Sequence, residues 1–226
     1  MMSSLSVSKV RLGFECPRLL YLGHHFGGMT LFLPPEKALG IGSAFHQLSD
    51  DFVKQLRSDP QYQSLLAAEP GTLDAGKIAQ FFQQRLYQAI FFPFLQQAIA
   101  EKPDKAQALH QLWLGLQGLI HRWAELLVSN RRFCTADEVI QKTFLAQELS
   151  VKHDFPLPDG SHQLVQGRFD SLVYDFSHHR LCVVEYKTYQ SPDPSAQLAQ
   201  VALYSYMLRE RVGVPIDSAV YSVLPD

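Results

Sequence analysis

The chain has 226 residues, of which 46% are hydrophobic and 19% are charged. That much apolar surface excludes a disordered or low-complexity protein, and the length favours one domain with an elaboration. The formal net charge is -2, so the sequence lacks the global basic character of many nucleic-acid-binding proteins. A nucleic-acid ligand would therefore have to be held by a local basic patch or through a bound metal ion.

The three cysteines, Cys16, Cys134 and Cys182, are far apart in the sequence. Their odd number and long spacing favour neither a disulfide framework nor a CxxC metal site, and they fit a reducing cytoplasm. The N-terminus has no apolar run before a small-residue cleavage site, so no signal peptide is expected. No apolar stretch approaches the roughly 20 residues that a membrane span needs.

The first elements in chain order are predicted to be helices. A short helix capped by Ser8 is followed by a helix that Pro17 restarts, and glycines and prolines at 27–35 mark a loop. The next helix is expected over about 42–56, because its apolar residues recur on one face. Those residues are Ala44, Phe45, Leu48, Phe52 and Leu56.

Two longer helices are predicted after that. The first opens at Gly71 and should kink or end at Pro93. The second is capped by Asp104 and continues to about residue 130 with a leucine-rich face. Residues 42–130 are therefore expected to be mostly helical.

The pattern changes after residue 137. Alternating polar and apolar residues predict strands over 139–154, 164–176 and 181–188, with short turns between them. A helix over 195–211, opened by Asp193 and Pro194, and a last strand over 218–224 complete the chain. This order predicts an α/β core that carries a helical insertion.

A group of charged residues stands out on the predicted strands. Glu185 and Lys187 are two residues apart, so both lie on one face of their strand. Asp170 lies one hairpin upstream and can reach Glu185. Two carboxylates bind a hard divalent cation such as Mg²⁺, and a nearby lysine can orient a water or stabilise a phosphate oxyanion. The alternative is a cross-strand salt-bridge cluster without a catalytic role.

Five short motifs in one order make the chain resemble a known family. They are CPRLLYL at 16–22, GSAFHQL at 42–48, GRFDSLV at 167–173, VVEYKTY at 183–189 and the Gln200-to-Tyr204 pair of QLAQVALYSYM. The set resembles the RecB-type nucleases of the PD-(D/E)XK superfamily, nearest the CRISPR-associated and helicase-linked branch. The resemblance implies a restriction-endonuclease-like mixed β-sheet core flanked by helices. It also implies a single domain over 1–226, with a helical layer at about 42–130 and a catalytic core at about 137–226.

The resemblance also implies a function and its residues. It implies a Mg²⁺- or Mn²⁺-dependent deoxyribonuclease, expected to be an exonuclease in DNA repair, recombination or CRISPR-associated processing, with DNA and a helicase or related protein as partners. The catalytic residues would be Asp170, Glu185 and Lys187. The metal would be held by His46, Asp170, Glu185 and the Tyr186 carbonyl. The residues supporting DNA or the lysine would be Gln200, Tyr204 and Arg18.

Several simpler interpretations stay open at this stage. His46 lies beside an apolar helical face, and Tyr204 has apolar neighbours, so either residue can belong to the core. Glu148, a carboxylate in the first strand, fits a surface charge better than a ligand. The same fold can also serve a catalytically silent nucleic-acid-binding or scaffold subunit. A third alternative is a helix-rich module in which residues 72–130 bind a helicase.

The cysteines bear on one further expectation. In the cluster-bearing branch that the chain resembles, a cysteine in the C-P-R element joins three more after the last core strand. Cys16 matches the first, but no cysteine follows Cys182. An iron–sulfur cluster needs about four protein ligands, so none is expected here. The chain would then be a fragment of a cluster-bearing protein or a lineage that lost the cluster.

Overall fold

A computed structural model describes residues 4–25, 41–101, 105–187, 194–212 and 216–222. Within them, five strands form one mixed sheet with helices on both faces, which confirms the predicted fold class. The predicted loop at 27–35 and the predicted N-caps Asp104 and Asp193 lie outside the described residues. None of the described helices is both long and apolar enough to cross a membrane.

The sheet is built around one long central strand. The strands are β1 (Leu5–Ser6), β2 (Phe144–Pro156), β3 (His162–Asp175), β4 (Arg180–Lys187) and β5 (Ile216–Ser222). Strand β3 pairs antiparallel with β2 and β4 and parallel with β1, and β4 pairs parallel with β5. The three antiparallel strands therefore follow the predicted connection, whereas the two-residue strand β1 is too short to be visible in the sequence pattern.

Nine helices occur in the described part of the chain. They are α1 (Val7–Glu15), α2 (Pro17–His25), α3 (Ile41–Ser58), α4 (Pro60–Leu65), α5 (Ala75–Leu86), α6 (Phe92–Glu101), α7 (Ala106–Asn130), α8 (Ala136–Thr143) and α9 (Ser195–Val212). A 3₁₀ turn at Pro70–Thr72 precedes α5, and a π-helical turn at Tyr87–Phe91 joins α5 to α6.

The two faces of the sheet carry separate cores. On one face, Cys182, Val184 and Tyr186 pack against the helical layer that α3 to α8 form. On the other face, Leu181 and Val183 pack against α1 and α9. Because side chains alternate along a strand, the same strand β4 contributes to both cores.

Four local predictions need correction. The helix predicted to open at Gly71 begins at Ala75, where the Asp74 carboxylate caps it. Ser6, not Ser8, caps α1, and its Oγ accepts the Lys9 N–H at 3.2 Å. Residues 139–143 belong to helix α8 rather than to a strand. Acidic residues in the first turn and the ion pair between Glu138 and Lys142, at 3.0 Å, favour the helix there.

The helix predicted to kink or end at Pro93 instead continues through it as α6. The π-helical turn lies directly before the proline, where Phe92 N–H donates to the carbonyl of Tyr87. A proline ring collides with the preceding turn of a regular α-helix, and a wider π turn relieves that collision. Helix α6 can therefore include the proline.

Candidate active site

The site begins where strands β3 and β4 separate. Their pairing reaches Ser171 opposite Val184, and Asp170 is the next residue of β3. At this point the Oδ2 atom of Asp170 accepts a hydrogen bond from the Tyr186 N–H at 2.7 Å. A side-chain oxygen is therefore the acceptor where the main-chain pairing of β3 and β4 ends. Because Glu185 directly precedes Tyr186, this bond holds the two carboxylates close together at one end of the sheet.

A lysine and a glutamine complete a hydrogen-bonded network around Glu185. The ammonium of Lys187 donates to Glu185 Oε2 and to Gln200 Oε1, each at 3.0 Å. The Gln200 amide in turn donates to Glu185 Oε2 at 3.1 Å. Gln200 comes from α9, which packs on this face of the sheet. The lysine is thus held in one position from two sides.

Helix α3 brings a histidine to the same place. The Nδ1 atom of His46 lies 3.0 Å from Asp170 Oδ1, and the imidazole contacts the Tyr186 ring edge-to-face. Phe45, the neighbour of His46, is fully buried in the core beneath the helix. The apolar face of α3 therefore fixes the helix against the sheet and directs its polar face toward Asp170.

Proton binding at the site is shifted by these contacts. Burial, reinforced by the nearby Asp170 charge, raises the pKa of Glu185 to about 7. The hydrogen bond to Asp170 raises the pKa of His46 despite its partial burial. Burial also raises the pKa of Tyr204 to about 12. Without a bound cation to offset the charge of the two carboxylates, the site therefore favours the protonated forms of Glu185 and His46.

Two residues of the site border an open cleft of about 750 Å³, whose lining does not include Glu185, Lys187 or Gln200. His46 and Asp170 line it, together with the polar face of α3 and with Glu148 and Arg168 from the sheet. Four carboxylates and two lysine or arginine side chains lie in its described wall, so the cleft favours cations. A substrate that reaches Asp170 must enter this cleft.

The sequence matches the family model of the PD-(D/E)XK nuclease superfamily over residues 4–224. The chain belongs to this superfamily. No curated protein matches it. A solved structure described as "Crystal structure of SSO0001" matches with 16% identity over 51% of this chain and 51% of that chain, with a TM-score of 0.23. The assignment to the superfamily therefore rests on the match to the family model and not on this solved structure.

Membership in the PD-(D/E)XK superfamily implies a nuclease, a hydrolase that acts on phosphodiester bonds of a nucleic acid. Members of the superfamily generally use divalent metal ions such as Mg²⁺ or Mn²⁺. In the described residues, no three His, Cys, Asp or Glu side chains are gathered to hold a metal ion.

The side chains nevertheless suit such an ion chemically. Within the described structure, the buried Oε1 atom of Glu185 has no hydrogen-bond partner. A buried carboxylate oxygen without a partner is unfavourable unless a cation or a proton compensates it. Mg²⁺ keeps several waters and needs only one or two protein carboxylates. The Asp170 and Glu185 pair therefore fits a hard divalent cation.

The remaining predicted residues lie in different surroundings. Gln200 contacts the lysine, as described above. Tyr204 is buried in the core under α9 and donates its hydroxyl to the carbonyl of Arg168 at 3.0 Å. Tyr186 presents its ring to the helical layer. Arg18 is exposed on α2, and it is not among the described residues that line the cleft.

The cysteines lie apart from the cleft. Cys16 caps the end of α1, Cys134 is buried, and all three thiols are free. Cys182 lies on the face of β4 opposite Glu185, and burial raises its pKa to about 11. The absence of an iron–sulfur cluster stays a prediction.

Sequence reasoning missed part of the cleft wall. Asp50, Asp51 and Lys54 follow His46 at helical spacing on the polar face of α3. Glu148, interpreted from the sequence as a surface charge, also lines the cleft; it has a φ of 50° and pairs with Arg168 at 3.2 Å. The spacing from His46 to Asp50 was a usable signal. A positive φ at a glutamate inside a strand has no comparable signal in the sequence.

Proposed function

We propose that the chain is a Mg²⁺- or Mn²⁺-dependent deoxyribonuclease of the RecB type, and that residues 1–226 form a single nuclease domain. We further propose an exonuclease of the CRISPR-associated or helicase-linked branch that works in the cytoplasm beside a helicase or other repair protein. The observation that carries the proposal is the hydrogen-bonded network of Glu185, Lys187 and Gln200, next to Asp170, which binds the N–H of Tyr186.

The carboxylates give the site its cation-binding character. Asp170 and Glu185 would hold the ion, with His46 and the Tyr186 carbonyl as further ligands. The Nδ1 atom of His46 is engaged by Asp170, which leaves Nε2 for a ligand. When bound, the cation would act as a Lewis acid on the phosphate and lower the pKa of a water.

Lys187 has the geometry of a phosphate or water contact. An ammonium has three N–H donors, and in the described structure two of them bind Glu185 and Gln200. The third is left for an oxygen of the substrate. Held in this way, the lysine would stabilise the negative charge that develops on the phosphate while water adds to phosphorus and the bond to the leaving oxygen breaks.

The test is cleavage of end-labelled DNA by the purified chain with Mg²⁺ or Mn²⁺ and with EDTA. We expect degradation that requires the cation. Asp170→Ala and Lys187→Ala should each lower the rate by about 10²-fold or more, because each removes a group made for the transition state. Lys142→Ala, the same change on the outer surface of α8, is the control and should cleave normally.

The two alternatives give different results. A catalytically silent binding subunit would bind DNA but leave it intact under every cation condition. A salt-bridge cluster without a catalytic role would allow cleavage to survive in Lys187→Ala. Either result would overturn the assignment of the catalytic residues.

A further inference from the structure

A second cleft, of about 620 Å³, adjoins the carboxylate cleft. The two clefts share one wall residue, Arg168. The polar residues that line the second cleft are Ser6, Ser150, Lys152, Gln166, Arg168 and Arg211. We call these six residues the basic strip. In the described wall of this cleft there are three cations and no carboxylate, whereas the first cleft has four carboxylates and two cations.

Strand pairing puts most of the basic strip on one face of the sheet. Ser150 pairs with Arg168, and Lys152 pairs with Gln166, which also pairs with Ser6 of β1. Residues that are directly opposite, or two apart along a strand, share a face. The strip therefore begins at Arg168, beside the carboxylate cleft, and continues along β3 away from it.

The length of the strip can be set against a nucleic-acid strand. Four residues separate Asp170 from Gln166, which corresponds to about 13 Å of extended strand. One strand of a B-form duplex places a phosphate about every 3.4 Å along the axis, so Gln166, at the far end of the strip along β3, lies about four nucleotide steps from Asp170.

Two of the three cations of the strip are available to a ligand. Lys152 and Arg211 are exposed, and neither forms an ion pair with any other described residue. Arg168 is paired with Glu148, which holds its guanidinium at the boundary between the clefts. Ser150 and Gln166 add neutral donors beside the cations. Lys152 and Arg211, which have no competing carboxylate, and the neutral donors beside them favour a chain of phosphates.

We propose that the basic strip binds the phosphate backbone of a DNA strand whose scissile phosphate lies in the carboxylate cleft. The inference rests on the proposed nuclease function and adds to it the path of the substrate. It would allow DNA binding by a chain with a net charge of -2, because three cations are gathered where the phosphates would pass.

The test is the affinity of the metal-free chain for a single-stranded oligonucleotide, measured by fluorescence anisotropy in EDTA over a range of salt. Lys152→Ala and Arg211→Ala should each raise Kd by roughly threefold to tenfold and reduce the slope of log affinity against log salt by about 0.7. Lys152→Arg should restore both, because it keeps the charge.

Arg122→Ala and Lys77→Ala remove the same charge from the helical layer and should leave affinity and salt slope unchanged. Equal effects in the strip variants and these controls would overturn the proposal. Cleavage of the same oligonucleotide with Mg²⁺ is measured in parallel. Normal salt dependence in Lys152→Ala combined with active cleavage refutes the strip alone, whereas strip-dependent binding without cleavage refutes the nuclease proposal alone.

Discussion

Strand β4 presents two faces that are equally buried and chemically opposite. Tyr186, on the side of the helical layer, and Glu185, on the side of α9, are each 4% exposed. Tyr186 packs among apolar side chains, whereas Glu185 is a carboxylate with a lysine and a glutamine as its partners. The depth of burial therefore does not separate core from site on this strand; the chemistry of the neighbours does.

The comparison has an energetic side. Burying an aromatic ring against apolar neighbours stabilises the fold, whereas burying a carboxylate costs free energy that its partners only partly offset. The partnerless Oε1 atom of Glu185 belongs to the costly side. One face of β4 thus contributes stability, and the other, which we call the reactive face, carries Glu185 and Lys187 of the proposed catalytic site.

The largest expected effect is on the reactive face. Gln200→Ala should lower the cleavage rate by roughly 10- to 100-fold, because the lysine ammonium loses one of the two partners that position it. Gln200 acts through Lys187, so the pH profile of cleavage should also change. Gln80→Ala, on an exposed part of α5, is the control. An unchanged rate and pH profile would show that Glu185 alone positions the lysine.

A second prediction concerns the packing that supports this face. A Cβ at Gly167 would lie 2.8 Å from Tyr204 Cε1 and Oη and from Val7 Cγ2. Gly167→Ala should therefore lower the free energy of unfolding by about 1–3 kcal/mol, through overpacking. Gly71→Ala meets nothing within 4 Å and serves as the control. Urea unfolding measures both, and equal midpoints would contradict the close packing of α9 on β3.

A third prediction follows from the raised pKa values of Glu185 and His46. Both groups bind protons more tightly in the folded chain than in the unfolded one. Between the ordinary pKa of a glutamate and neutral pH, the folded chain therefore keeps protons that the unfolded chain has released. The free energy of unfolding of the metal-free chain should fall as pH rises from about 5 to about 7.5. Glu185→Gln should flatten this slope. A stability that rises over the same interval in the wild-type chain would contradict the assigned burial.

The smallest expected effect is that of the Tyr204 hydroxyl. Tyr204→Phe should cost about 1 kcal/mol, because the Arg168 carbonyl loses its donor while the ring keeps its packing. Tyr206→Phe, at a half-exposed position of α9, should cost nothing measurable. Thermal unfolding compares the two. A fall in the cleavage rate larger than the loss of folded protein explains would place Tyr204 in the catalytic network instead.

The sequence was most informative where spacing alone settles geometry. The two-residue interval from Glu185 to Lys187 puts both on one strand face, and one hairpin brings Asp170 to Glu185. The motif order led from there to His46 and Gln200, and the structure places both beside these residues. Together they indicated the mixed sheet and the neighbours of the lysine.

What the sequence could not predict depends on tertiary context. Residues 139–143 have β-branched members but form helix α8, because acidic residues in the first turn and an ion pair favour the helix there. The residues that α3 presents to the cleft depend on how the helix is rotated against the sheet. That rotation is set by the packing of its buried residues, which the sequence alone does not show. The basic strip joins residues from β1, β2, β3 and α9, and no local pattern links them.

The proposal that supports all the others is that Asp170 and Glu185 form a divalent-cation site at the point where β3 and β4 separate. Its most direct measurement is the titration of Mn²⁺ into the metal-free chain by calorimetry, with Asp170→Ala and Glu185→Gln as variants. Glu125→Gln, an exposed carboxylate on α7, is the matched control. The account predicts Mn²⁺ binding in the wild type and the control, and at least about tenfold weaker binding in both variants. Equal Mn²⁺ affinity in all four proteins would contradict it.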